Sequence, residues 1–125
     1  MKNMIKTGLL VTIAATGIAC IMIRTEAQTQ IQLDQQSGEK LKKSNLQMEH
    51  AISKLDKLIS PGQKALLAKS QSSWLQFRKD DAKFCASRYT GGSIYPLIYT
   101  DAEDAVTKQR IHELMGIVKE IKQLQ

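Results

Sequence analysis

Residues 70–110 read SQSSWLQFRKDDAKFCASRYTGGSIYPLIYTDAEDAVTKQR, and this stretch decides the fold. It contains the single tryptophan, all three tyrosines and both phenylalanines of the chain. Trp74 and Phe77 are helix neighbours at a spacing of i, i+3, and the only Gly-Gly pair follows at residues 91–92. We therefore expect a helix, a glycine break, a folded-back aromatic loop over residues 89–99 and a second helix.

Apolar patterns on both sides of this stretch predict further helix. Residues 39–59 repeat apolar side chains at steps of seven, four, three and four, which is typical of one helix face. Ser60 and Pro61 end this helix and begin the next one, as N-cap and first helical residue. Before it, residues 28–36 are a short helix or a flexible lead-in, which Ser37 and Gly38 end. The repeating residues are Leu41, Met48, Ile52, Leu55 and Ile59.

The last helix has a capping-box pattern at its predicted start. Thr100 is followed by Glu103, while Asp101 and Asp104 place negative charge where the helix dipole favours it. The prediction is therefore an all-α fold. It is a small bundle of three main helices with one long aromatic Gly-Gly loop.

The first 27 residues have the parts of a secretory signal peptide. Lys2 and Lys6 form a basic start, residues 8–23 are apolar and uncharged, and Ala27 ends a small-x-small cleavage pattern. We predict cleavage after Ala27, which leaves a helical domain over residues 28–125 in the periplasm or outside the cell. No stable membrane insertion is expected after cleavage.

An uncleaved anchor is the alternative for the same segment. Residues 1–24 would then tether the protein to the inner membrane, since the apolar run is near the lower limit of about 17 residues for a span. Lipoprotein processing at Cys20 fits poorly, because the residues before it lack the branched apolar and small pattern that this processing needs.

Charge and cysteine content limit the possible partners. The formal net charge is +6, and loss of residues 1–27 lowers it to +4, because three basic residues and one acidic residue leave. That is too little, without a clustered patch, to indicate nucleic-acid binding. Cys85 is the only cysteine after residue 27, so no intramolecular disulfide can form. We expect it to be buried as a small hydrophobe rather than paired with another molecule.

The sequence contains no catalytic constellation. His50 and His112 have no second ligand at a metal-binding spacing, and Ser93 has neither an assignable base nor a nucleophile elbow. Asp80 and Asp81 lie on a lysine-flanked helix surface. We predict a binding protein that is not an enzyme and that uses no metal or cofactor.

Trp74 and Arg78 are one helical turn apart. We expect the indole in the core, with the guanidinium stacked on it or bonded to a neighbouring carbonyl, so the pair is architectural rather than a recognition surface.

These motifs resemble those of the LprI-like family of lysozyme-inhibitor domains, which are small exported bacterial proteins. The resemblance covers most of residues 28–125 and is most specific between Gln71 and Arg110. It includes Gly91, Gly92 and Ser93, and Thr29-Gln30 resembles the mature start of the family. The resemblance implies a structural framework of Gln71, Trp74, Phe77, Arg78, Thr107 and Arg110.

The chain departs from the family in its cysteines. The resemblance implies a disulfide in relatives, and its two positions are Ala82 and Ala102 here. A third family cysteine would fall near Gln36 and is also absent. Loss of a native disulfide costs a small domain about 2–5 kcal/mol.

The resemblance implies binding to lysozyme or another cell-wall hydrolase, by a loop that occludes the enzyme's cleft. A positive chain meets basic lysozymes unfavourably. A local acidic face beside the loop would offset this, and Asp101, Glu103 and Asp104 are the candidates for it. The alternative is a non-inhibitory envelope scaffold or interaction domain of the same fold. The predicted contact residues are Tyr89, Gly91, Gly92, Ser93, Tyr95 and Tyr99.

Overall fold

The computed structural model describes the backbone of residues 4–124 and the side chains of residues 28–124. Three helices, α1 (Met4–Asp56), α2 (Pro61–Ala86) and α3 (Tyr95–Gln123), account for nearly all of this backbone. A single 3₁₀ turn, Ser87–Tyr89, follows α2. Residues 4–124 contain no strand, so the all-α prediction is confirmed.

The chain divides into two compact units. Met1–Leu33 contains the first part of α1, and Asp34–Gln125 contains the remainder of α1 with α2 and α3. The predicted signal peptide, residues 1–27, lies outside the residues whose side chains are described. The second unit is a helical bundle.

Side-chain contacts give the direction of each helix in the bundle. Lys64 near the start of α2 pairs with Asp56 near the end of α1 at 2.9 Å, and Arg78 further along α2 bonds to the earlier Asn45, so these helices are antiparallel. Ser37 and Ser44 of α1 donate hydrogen bonds to Asp101 and Asp104 of α3 in the same order, so α1 and α3 run parallel. Among the helix pairs, α2 and α3 lie side by side most extensively.

The predicted start of α2 is confirmed, whereas α1 ends at Asp56, three residues before the predicted Ile59. Ser60 is the N-cap of α2, and its hydroxyl accepts from the Gln63 backbone N–H while the Gln63 side chain accepts from the Ser60 N–H. Pro61 follows at the first helical position. This capping box satisfies two backbone donors that the first helical turn leaves unpaired.

The break predicted at Ser37 and Gly38 is wrong, because α1 continues through both residues. Glycine inside a helix costs about 1 kcal/mol relative to alanine. Ser37 is buried, and its hydroxyl donates to Asp101 at 2.6 Å, which ties this part of α1 to α3. The tertiary contact outweighs the local preference.

The start predicted for the last helix is also wrong. Helix α3 begins at Tyr95 instead of Thr100, with Pro96 in its first turn, where a missing N–H costs nothing. Residues 95–99 are therefore helical and do not belong to a folded-back loop. Tyr95 and Tyr99 are one turn apart and stack at a ring-centroid distance of 6.2 Å.

The apolar core lies between the C-terminal halves of α1 and α3. Leu114 and Val118 of α3 pack with three buried residues of α1 that belong to the predicted stripe or adjoin it. Trp74 and Leu67 of α2 close the third side. The buried α1 residues are Met48, Ala51 and Leu55.

Toward the other end of the bundle, the buried side chains are small or polar. Ala82 and Ala86 of α2 are fully buried, as are Ser44 and Thr107 on the neighbouring helices. Cys85, in contrast, is exposed, so its predicted burial is wrong. Ala82 and Ala86 are four residues apart and define the buried face of α2, and Cys85 falls outside that face.

Replacing Leu114 with Ala tests the apolar core. Leu114 is 1% exposed, so the cavity is expected to lower the free energy of unfolding by about 2–5 kcal/mol. Urea denaturation measures this change. Leu66→Ala, at a leucine that is 69% exposed, is the control and is expected to change stability by less than about 0.5 kcal/mol. Equal losses in the two variants would contradict the assigned core.

Candidate functional site

Arg78 connects all three helices of the bundle. Its Nη1 donates to Asn45 Oδ1 of α1 at 2.9 Å and to Thr107 Oγ1 of α3 at 3.1 Å. Its Nε lies 3.4 Å from Glu103 Oε1, and both side chains are only 12% exposed. Nε is buried and makes this ion pair without a hydrogen bond of good geometry. We call Arg78, Asn45, Glu103 and Thr107 the arginine cluster.

A hydrogen bond within α3 orients the Thr107 hydroxyl for its contact with Arg78. Its hydroxyl donates to the Glu103 carbonyl oxygen one turn earlier, at 2.7 Å. The hydroxyl proton is thereby occupied, and the oxygen remains free to accept from Arg78. The predicted stacking is confirmed, since the Arg78 guanidinium lies 5.2 Å from the centroid of the half-buried Trp74 ring.

A second set of contacts joins α2 to α3 beside the arginine cluster, on the side of the apolar core. Arg110 Nε donates to Gln71 Oε1 and its Nη2 donates to Ser70 Oγ, both at 2.8 Å. Gln71 also reaches the Met48 sulfur of α1 at 3.7 Å. Five of the six framework residues therefore lie in one connected region around Arg78. The exception is Phe77, which is 56% exposed.

Asp101, Glu103 and Asp104 of α3 each contact another side chain of the bundle. Asp101 accepts from Ser37, Glu103 pairs with Arg78, and Asp104 accepts from Ser44 at 2.5 Å and from Lys108 at 2.7 Å. Glu103 and Asp104 are buried, whereas Asp101 is exposed even though it accepts from Ser37. Of the three candidates for a local acidic face beside the loop, two are therefore inside the bundle and only Asp101 lies at the surface.

The sequence reasoning missed the α1 partners of these acids. Ser37 and Ser44 precede Met48 at steps of seven and four, so they extend the apolar stripe of α1. A serine at a stripe position is a signal for a buried hydrogen bond, because a buried hydroxyl needs a partner.

The connection between α2 and α3 forms an exposed end of the bundle, which we call the loop end, residues 87–94. Tyr89 is 41% exposed, and Gly91, Gly92 and Ser93 are exposed. Tyr95 and Tyr99 are half-buried just beneath, on α3. Ile94, which the sequence did not single out, is also exposed. The predicted contact residues thus divide into an exposed group and a supporting tyrosine pair.

The two glycines of the loop end have different roles. Gly91 has φ of +81°, a conformation that side-chain-bearing residues rarely adopt. Gly92 has no positive φ, but a Cβ there would lie 3.2 Å from the Tyr89 carbonyl oxygen. The Gly92 N–H donates to that same oxygen at 2.9 Å, which closes the turn.

A shallow cavity of about 270 Å³ adjoins the loop end. It is lined by Phe84, Cys85, Ser87, Arg88, Tyr89 and Ile98.

The Tyr99 hydroxyl is neutral near pH 7. Burial, and then the charge of Glu103, raises its pKa above the usual value.

Residues 28–124 show no group of three or more His, Cys, Asp or Glu side chains that could hold a metal ion. His50 and His112 are both exposed. Over the same residues, no helix has the length and hydropathy needed to cross a membrane.

Fold and site together define a small three-helix module with a buried arginine cluster and an exposed aromatic loop end. A family model described as "Lysozyme inhibitor LprI" matches residues 20–114, well over half of the chain. The chain belongs to this family, which confirms the resemblance noted from its motifs. Comparison with curated proteins and with solved structures finds no match.

Replacing Arg78 with Met tests the arginine cluster. It leaves Glu103 buried without its cation, so the free energy of unfolding is expected to fall by about 3–5 kcal/mol. Chemical denaturation measures the loss. The matched control is Lys79→Met, at an exposed cation on the same helix, with an expected change below about 0.5 kcal/mol. Adding Glu103→Gln to Arg78→Met should recover part of the loss, and a double variant no more stable than the single one would contradict the pairing.

Asp104 makes stability depend on pH. Burial alone would raise the pKa of this carboxyl, but hydrogen bonds from Lys108 and Ser44 outweigh burial and hold the pKa below its usual value. The stabilisation that ionised Asp104 adds to the free energy of unfolding is therefore fully present above the unfolded-state pKa of about 3.9. It is lost as pH falls through the lower folded-state pKa.

The stability difference between wild type and Asp104→Asn is accordingly expected to be largest above about pH 5 and to shrink toward about pH 3. Urea midpoints at a series of pH values measure it. Ser44→Ala removes one of the two hydrogen bonds and should give a smaller difference with the same trend. A difference that stays constant with pH would contradict this role for Asp104.

Proposed function

We propose that this chain is an exported protein that binds a cell-wall hydrolase of the lysozyme class through its loop end and occludes the enzyme's cleft. The family match over residues 20–114 carries the proposal, since the family is described as lysozyme inhibitors. The geometry supports it because the loop end is the part of the described bundle where a narrow turn and exposed aromatic groups occur together.

The shape of the loop end suits a sugar-binding cleft. Glycoside hydrolases hold their substrate between two carboxylates in an open cleft. A turn with Gly91 and Gly92 at its tip is slim enough to enter, and Tyr89 supplies an aromatic ring at its base. Tyrosine is an effective contact residue because it buries a large area at a small cost in side-chain entropy.

The arginine cluster keeps the loop end ready to bind. Arg78 fixes α2 against α1 and α3, and the stacked Tyr95 and Tyr99 lie at the start of α3, just beneath the turn. A loop held in its binding conformation loses less entropy on association. In this proposal Tyr95 and Tyr99 support the loop, while Tyr89 and residues 91–93 make the contact.

Surface charge favours one kind of hydrolase. Glu103 and Asp104 are buried and paired inside the bundle, so they give the net positive protein no exposed acidic patch beside the loop. Long-range attraction therefore favours an enzyme with a neutral or acidic surface over a strongly basic lysozyme. Because these carboxylates hold helices together, we propose binding and not catalysis as the activity.

Export is part of the same proposal. Residues 1–27 have the pattern of a signal peptide, and cleavage after Ala27 would release residues 28–125 into the periplasm or the medium. N-terminal sequencing of the exported protein distinguishes this from retention of residues 1–24 as an inner-membrane tether.

A non-inhibitory envelope scaffold is the second candidate. The exposure of Phe77 and Leu66 along α2, outside the loop end, favours it, because exposed apolar side chains in line mark contact surfaces. A scaffold of this kind would bind a resident envelope protein and leave hydrolase activity unchanged.

An assay of cell-wall lysis tests the inhibitor. The purified exported chain is expected to slow a lysozyme-class hydrolase, and Tyr89→Ala is expected to weaken inhibition about tenfold or more, because interface aromatics dominate binding energy. The control is Leu66→Ala, which removes a comparably exposed apolar side chain near the opposite end of α2 and should inhibit like wild type.

Three outcomes separate the candidates. Absence of inhibition at a large molar excess, with hydrolases of acidic and of basic surface, contradicts the inhibitor. Recovery of a resident envelope protein without a hydrolase in a pull-down then supports the scaffold. Equal inhibition by wild type and Tyr89→Ala would keep the activity but contradict the loop end as its site.

A further inference from the structure

One face of α2 carries three exposed side chains and one half-buried carboxylate, and it lies outside the buried core. Phe77, Asp81, Phe84 and Arg88 follow at steps of four, three and four, so they lie within about 60° of one another around the helix axis. Arg88 belongs to the 3₁₀ turn that continues α2 directly. Phe84 is 74% exposed, the most exposed aromatic side chain in the described region. We call these four residues the α2 outer face.

The charges of this face are unpaired within the described part of the bundle. The side chains of half-buried Asp81 and exposed Arg88 have no hydrogen bond or ion pair to residues 28–124. They cannot pair with each other, because seven residues of helix separate them by about 10 Å. Each therefore presents an unpartnered charge next to the exposed ring of Phe84.

The order of these charges is self-complementary. Asp81 lies three residues before Phe84, and Arg88 lies four residues after it. In an antiparallel copy, with a two-fold axis between Phe84 and Cys85, Asp81 of each copy is level with Arg88 of the other, about 5 Å along the helix on either side of the axis. A two-fold contact requires this reciprocity, in which residue i meets j and j meets i.

We propose that a second copy of this chain docks on the α2 outer face and forms an antiparallel two-fold dimer. The two Phe84 rings pack at the axis, and two reciprocal Asp81–Arg88 ion pairs flank them. A parallel arrangement would instead bring like charges together, which disfavours it.

The contact is small and therefore reversible. One helix face from each copy buries less than the roughly 1,200 Å² below which interfaces are typically weak and transient. Because Tyr89 adjoins this face, a docked copy would also compete with a hydrolase at the loop end. Only this competition rests on the proposed function, and the dimer itself does not.

Sedimentation of the full exported chain tests the dimer without any hydrolase present. A reducing agent keeps Cys85 unlinked, and the protein is varied from about 10 μM to about 1 mM, the range of weak association. Wild type is expected to show a monomer–dimer equilibrium, and Phe84→Ser to remain monomeric. Since Phe84 is mostly exposed, this variant should fold normally, which circular dichroism checks.

Charge reversal decides the register. Asp81→Arg or Arg88→Asp alone is expected to raise the dimer dissociation constant about tenfold or more, because two attractive pairs become repulsive. The double reversal should return it to within about threefold of wild type. Lys79→Asp, the same kind of reversal on another face of α2, should leave it unchanged. Wild type that is monomeric throughout, single reversals without effect, or a double variant as weak as the singles would each overturn the proposal.

Discussion

The Arg78 guanidinium is the contact on which the rest of the bundle depends. It is a planar group with five donors, so one side chain can bond to Asn45 of α1, bond to Thr107 of α3 and pair with Glu103 at the same time. Its position at 5.2 Å from the Trp74 ring places it at the edge of the apolar core. Removing it would leave a buried carboxylate without a counter-charge, which is far more costly than losing one hydrogen bond.

On one side of Arg78, toward the C-terminal ends of α1 and α3, apolar burial holds the bundle together. On the other side, toward the loop end, polar contacts do so. The apolar half packs Leu114 and Val118 against α1 and provides non-directional stabilisation. The polar half pairs Ser37 and Ser44 with carboxylates of α3, and such bonds require a specific register. Where relatives are implied to have a disulfide, this chain has Ala82 and Ala102, and non-covalent contacts tie the helices at that end.

This division suits a protein that binds through one end. The helices beneath the loop end are fixed by buried polar contacts, while Tyr89 and the glycine turn remain outside. In the proposed dimer, the same end of α2 presents Phe84 and unpaired charges to a second copy. Both proposed surfaces lie on helices that buried contacts hold in place, so little ordering would be needed when a partner binds.

Local patterns in the sequence determined the helices of the bundle, the Ser60 cap, the stacking of Arg78 on Trp74 and the family. These depend on residues within a turn or two of each other, or on a motif. Tertiary structure alone decided where α3 begins, that α1 continues through Gly38, and that Cys85 is exposed. It also buried Glu103 and Asp104, which the sequence alone did not indicate because capping residues and buried hydrogen-bond acceptors are the same residue types. Only the packing of α1 beside them determines which role they take.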